Sequence, residues 1–184
     1  MNKLIINHFK EMEKMLDLLR NNKVVAGILA FIRIYLGYQF IHAGYEKLTS
    51  GAFDASGFLQ GAIASSTGEH PAVQGWWATF LEHVALPNAD IFTFLVQWGE
   101  LLVGIALILG LFTSFATLMG MVMNFAFLFS GTVSTNGQMI LLAIFVIVAG
   151  ANAGKFGLDR YAMPYIKNQI NNRKNKHKKE AAVA

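Results

Sequence analysis

Three polar residues interrupt stretches otherwise apolar enough to cross a bilayer: Arg33, Glu100 and Asn124. An ionisable side chain at the centre of a membrane helix costs about 2.5–3.5 kcal/mol on insertion scales, and it normally faces a partner or a polar cavity. Each of the three lies about ten residues from the end of its apolar stretch, which at 1.5 Å per residue predicts a shared depth near the bilayer centre. The expectation is an Arg33–Glu100 charge pair, with Asn124 satisfying a remaining donor or acceptor. Such a set could bind a redox head group and move protons, with Arg33 and Glu100 as the catalytic pair. It could equally be a buried ion pair that fixes helix register and does no chemistry.

The residues around them set the alternatives. Arg33, Gly37, Phe40, Gly44 and Lys47 recur at steps of three and four, so they share one helix face. A second stripe runs Tyr35, Tyr38, Gln39, His42 and Glu46. His42 is the one histidine within an apolar stretch, and a single histidine cannot supply both axial ligands of a membrane b-type haem. It reads as a proton donor near the surface or as a hydrogen-bonded group at a helix end. Trp98, beside Gly99 and Glu100, could wall a flat ring or simply pack. His70 and His83 sit next to Glu69 and Glu82 without a recognised metal spacing, so no metal is expected. The chain has no cysteine, which excludes a dithiol relay, a thiolate metal site and a cysteine-held iron–sulfur cluster within it.

The elements that must hold these residues are all helical. The 184 residues are 54% hydrophobic and 14% charged, against about 25% charged in soluble domains, which points to a membrane protein. Apolar stretches at 24–45, 91–112, 115–133 and 138–153 predict four spans, joined after the second and third by short turns that favour an antiparallel bundle. The predicted fold is thus an all-α integral membrane four-helix bundle over residues 23–160. Residues 1–22 place Ile5, Phe9, Met12, Leu16 and Leu19 at helical spacing among charges, which predicts an amphipathic helix at the interface. Residues 75–86, with Trp76 and Trp77, predict a short interfacial helix in the connection 46–90, closed by Pro87. Residues 161–184 read as a basic tail.

Charge placement gives the orientation. Of 15 Lys and Arg residues, five lie in 3–23 and eight in 155–179, and none lies between Lys47 and Lys155. By the positive-inside rule both termini are cytoplasmic and 46–90 is outside. The tail of Arg173, Lys174, Lys176, Lys178 and Lys179 reads as a solvated segment beside anionic lipid, not as a nucleic-acid site.

On these residues the chain resembles the DoxX family of small four-span membrane proteins, related to the DoxD-type subunit of thiosulfate:quinone oxidoreductase. The likeness covers about residues 24–160 and rests on Arg33, Gly37, Phe40, Gly44 and Lys47, on Glu100, Leu101, Gly104, Leu107, Leu109 and Gly110, and on Gly157-Leu158-Asp159. Family members often carry a basic residue after the second span, where this chain has Ser114. The resemblance implies a four-helix bundle near membrane redox metabolism, with quinone as the cofactor and a soluble redox partner or second subunit. In that reading Arg33 holds a quinone carbonyl, Glu100 exchanges protons, Trp98 or Tyr38 stacks on the ring, and Asn124 and His42 complete the site. The competing readings are a non-enzymatic anchor or assembly subunit and, less well suited to four spans, a transporter that would need to form homo-oligomers.

Overall fold

In the computed structural model, which describes residues 3–183, the chain is all-helical, with no strand among those residues. α1 (Lys3–Asn21) meets α2 (Lys23–Thr49) at Asn22, whose side chain caps α2 by accepting from the Val24 and Val25 amides at 2.7 and 3.2 Å. Residues 1 and 2 of the expected interfacial helix lie outside the described residues. α3 (Ala55–Ala64) was not expected, although its start carries a plain signal. Asp54 accepts from the Ser56 hydroxyl and from the Ser56 amide, and these bonds, in that order, hold its carboxyl below the usual carboxylate range. The support this cap gives is therefore complete above the ordinary carboxylate pKa and fades as pH falls through the lowered one.

The tryptophan segment does form a short helix, α4 (Gly75–Phe80), but Pro87 does not separate it from the next long helix. A π-helical turn (Leu81–Ala85) and a 3-10 turn (Leu86–Asn88) carry the helical path into α5 (Ala89–Leu109). Pro87 falls in the first turn of the 3-10 segment, where a missing N–H breaks no bond. α6 (Thr113–Phe129) and α7 (Asn136–Ala149) come next, the latter ending in a 3-10 turn (Gly150–Asn152). The basic end is helical as well, as α8 (Asp159–Val183). Two helical paths, Lys23–Thr49 and Gly75–Leu109, are long and apolar enough to cross a membrane, with mean hydropathy 1.8 and 2.0.

α2, α5, α6 and α7 pack around one core built on Leu29, Leu36, Phe40, Val103, Leu107 and Val146. A second, smaller core under α3 and α4 centres on Leu59, Val73 and Leu81. Helix α2 makes its most extensive contact with α5, through Gly37, Ile41 and Gly44, while Phe40 of the predicted face packs on Gly120 of α6. The approach is close enough to need glycine. A Cβ on Gly104 would lie 2.6 Å from Ile41 Cγ1 and 2.7 Å from the Ile41 backbone nitrogen. One on Gly44 would lie 2.7 Å from the Leu101 nitrogen. Because backbone atoms stand in the way, Gly104→Ala is expected to cost about 1–3 kcal/mol. Gly61→Ala, on α3 with open space beside it, should be neutral or stabilising by about 0.5–1 kcal/mol. Unfolding of both variants in detergent checks this, and equal effects would show that the α2–α5 contact yields freely.

Candidate functional site

The α2–α5 register decides where the polar residues go. Gly37 packs on Gly104 and Ile108, and Gly44 packs on Gln97 and Leu101, so the helices run antiparallel. Arg33 therefore faces the turn after α5, while Glu100 faces the far end of α2. The fourteen residues from Arg33 to Lys47 correspond to about 21 Å of helix axis. The expected Arg33–Glu100 pair is not formed. The shared-depth argument failed because α2 begins beyond the end of α5, with its first turns packed against α1 and the 3-10 turn after α7. Ten residues into α2 is the C-terminal end of α5, not its middle.

Glu100 instead pairs with Lys47. Lys47 Nζ donates to Glu100 Oε2 at 2.7 Å, with side chains 23% and 3% exposed. The ammonium also lies over the rings of Phe53 and Phe127, 5.5 and 5.9 Å from their centroids. Gln97 Nε2 donates to the Lys47 carbonyl at 3.1 Å, which ties the last turn of α2 to α5. Sequence reasoning missed Lys47 as a site residue by assigning it to the connecting loop. The signal was present, since Lys47 completes the face that begins at Arg33.

This pair lines a cavity of about 460 Å³ between the ends of α2, α5, α6 and α7 and the start of α3. Three of the predicted site residues meet there: Glu100, Asn124 and His42. Asn124 is 2% exposed, on the cavity wall. His42 is at the mouth, 3.5 Å from Glu46 across one helical turn. Phe40, Phe58 and Phe127 supply apolar wall. The two aromatic residues expected to stack on a ring lie elsewhere. Tyr38 and Trp98 are 56% and 42% exposed, and Trp98 packs beside Phe94 on the outer surface of α5. Both sit on helix faces turned away from the core.

Arg33 forms a separate centre. It is 1% exposed, and its Nε and Nη1 have no hydrogen-bond partner among the described residues. A Cβ on Gly110 would lie 1.4 Å from Nη1, and one on Gly157 would lie 2.5 Å away. The guanidinium thus occupies a slot between two glycines. The charge nearest in effect is Asp159. Asp159 accepts from the Phe112 amide at 2.7 Å and the Thr113 amide at 2.8 Å, which caps α6. Backbone bonds from Leu158 to Leu109 and from Asp159 to Gly110 close the arrangement. The Gly157-Leu158-Asp159 segment therefore docks on the α5–α6 turn and brings a carboxylate into the neighbourhood of Arg33, beyond ion-pair distance.

Among the described residues no three His, Asp or Glu side chains converge as metal ligands. Chemically, the Lys47 cavity offers a cation, a carboxylate and a side-chain amide in a partly apolar setting. At the Arg33 centre the guanidinium itself fills the slot between Gly110 and Gly157.

Two comparisons, with curated proteins and with solved structures, return no match to this chain. A family model described as DoxX matches residues 28–132, which holds the face from Arg33 to Lys47, Glu100 and Asn124. The chain belongs to the DoxX family, a membrane-associated family.

Proposed function

We propose that this chain is a multi-pass membrane protein whose Lys47–Glu100 cavity binds a quinone head group within a membrane redox system. The carrying observation is the buried Lys47–Glu100 pair on the wall of a roomy cavity that Asn124 also lines. Large apolar side chains on the outside of all four central helices, among them Phe31, Phe94, Leu102, Phe115, Val122 and Phe145, support four spans facing lipid. The basic residues gathered at both ends of the chain support cytoplasmic termini, with the cavity opening outside. The exposed apolar side chains of α1, such as Leu4, Phe9 and Met15, suit a helix lying at the interface.

The residues present fit such a ligand. Lys47 and the Asn124 amide are donors suited to two ring carbonyls, and Phe58 and Phe127 are flat walls. A bound quinone supplies the two-electron acceptor. Lys47 orients the carbonyl it binds, and Glu100, held by Lys47, exchanges protons with it. The donor of electrons is then a soluble partner or a second subunit, as in DoxD-type systems. The anchor reading draws on the same exposed face of α1, which would suit a docking helix.

The test is quinone content. Solvent extraction of protein purified in mild detergent should yield about one quinone per chain, following the one-site arithmetic of saturable binding. A Lys47→Met, Glu100→Leu double variant with unchanged melting should retain little. Equal traces in both would refute the quinone site and favour the anchor reading.

A further inference from the structure

A second cavity, of about 470 Å³, lies at the opposite end of the molecule, among α1, the 3-10 turn after α7 and the start of α8. Three cations from three separate elements line it: Arg20, Lys155 and Arg160. Arg20 is held in place, since its Nε donates to the Val148 carbonyl at 3.2 Å. The one carboxylate in the lining is Asp159, and both of its oxygens are already engaged by the Phe112 and Thr113 amides. Three cations against this one carboxylate leave the cavity with an excess of positive charge.

One wall of the cavity is fixed by hydrogen bonds. Asn152 lines the same cavity and is 4% exposed. Its Nδ2 donates to the carbonyls of Leu19 and Asn22 at 2.9 and 3.0 Å. Both amide hydrogens are thereby committed, which fixes the amide orientation and leaves Oδ1 buried without a partner. That oxygen is closed off from the cavity, so the amide braces the wall and the cations are the groups a ligand meets. Met163 and Pro164 add an apolar wall.

We propose that this cavity binds a phosphate ester, the chemistry of a glycerophosphate head group. The phosphate meets Arg20, Lys155 and Arg160. The site is independent of the Lys47 cavity and of any reading of it. Two sources carry this chemistry: the head group of an anionic phospholipid, and free glycerol phosphate.

The full chain is tested by thermal melting in phosphatidylcholine vesicles, titrated either with phosphatidylglycerol or with glycerol 3-phosphate. An Arg20→Gln, Lys155→Gln, Arg160→Gln variant is compared with a Lys167→Gln, Arg173→Gln, Lys174→Gln variant, which removes equal charge from exposed positions of α8 outside the cavity. One of the two ligands should raise the melting temperature of the wild type. Its apparent affinity should fall more than about tenfold in the cavity variant and little in the control. Response to phosphatidylglycerol alone assigns the site to lipid; response to glycerol 3-phosphate assigns it to a soluble ester. No response to either, or equal loss in both variants, overturns the proposal. If the triple variant does not melt normally in neutral lipid, Lys155→Gln alone, which removes no hydrogen bond within the chain, carries the same comparison with Lys167→Gln.

Discussion

Gly110→Ala is expected to be the most damaging single methyl group that can be added to this chain. Two effects combine. Gly110 closes α5 in the left-handed region, at φ 64°, with Leu111 donating back to the Ala106 carbonyl and Gly110 to Leu107. That is a Schellman ending, and a side chain there costs about 1 kcal/mol from backbone strain. The new Cβ would also lie 1.4 Å from Arg33 Nη1. Arg33 cannot give way cheaply, because Gly157 closes the slot from the other side. Overpacking of this kind adds about 1–3 kcal/mol, so the total should be about 2–4 kcal/mol. Unfolding in detergent reads it directly. An Arg33→Ala, Gly110→Ala double variant should lose less than the sum of the two single variants, since removing the guanidinium relieves the clash. Strict additivity would mean that the two residues do not meet.

The second large effect concerns Lys47 and Glu100. Removing one partner of a buried pair costs roughly 3–5 kcal/mol, because the other charge is stranded. Here the two ends are unequal. Lys47 is 23% exposed and lies over two phenyl rings, so without Glu100 it still reaches water and aromatic faces. Glu100 is 3% exposed and has Lys47 as its hydrogen-bond partner. Lys47→Met should therefore cost about 3 kcal/mol or more, and Glu100→Leu distinctly less. The double variant should recover much of the loss, since two apolar groups pack without a stranded charge. A double-mutant cycle on unfolding free energies measures the coupling. Equal single losses that simply add would show that the pair contributes nothing as a pair.

Much of this fold was written in simple periodicities. The helical nature of 24–45, 91–112, 115–133 and 138–153 followed from apolar runs, and the buried face of α2 followed from Gly37, Phe40 and Gly44 at helical steps. Depth was not legible. It depends on how far α2 extends past the α5–α6 turn, and that is fixed by tertiary contacts with α1 that leave no local mark. The same gap explains the exchange of partners at Glu100. Helical spacing placed Lys47 on the right face, but only the antiparallel register brings it opposite Glu100. Tyr38 and Trp98 were misjudged for a related reason, since a ring near a carboxylate in sequence points where its helix rotation sends it. α3 left little trace because ASGFLQGAIA is short and carries glycine at two positions, and its one plain signal is the Asp54 cap.

The surroundings of Arg33 are also spread across time. The residue enters early, but the glycine that closes its slot is residue 157 and the carboxylate that answers its charge is residue 159. Translation at about 5–20 residues per second needs roughly 6–25 s to cover that interval. Throughout it the guanidinium has no permanent place, and the first long helix cannot settle into its final seat. The arrival of Gly157-Leu158-Asp159 is what lets it do so. The element made near the start of the chain is thus completed by residues made near its far end. Nascent chains halted before residue 157 should be the ones a membrane protease recognises.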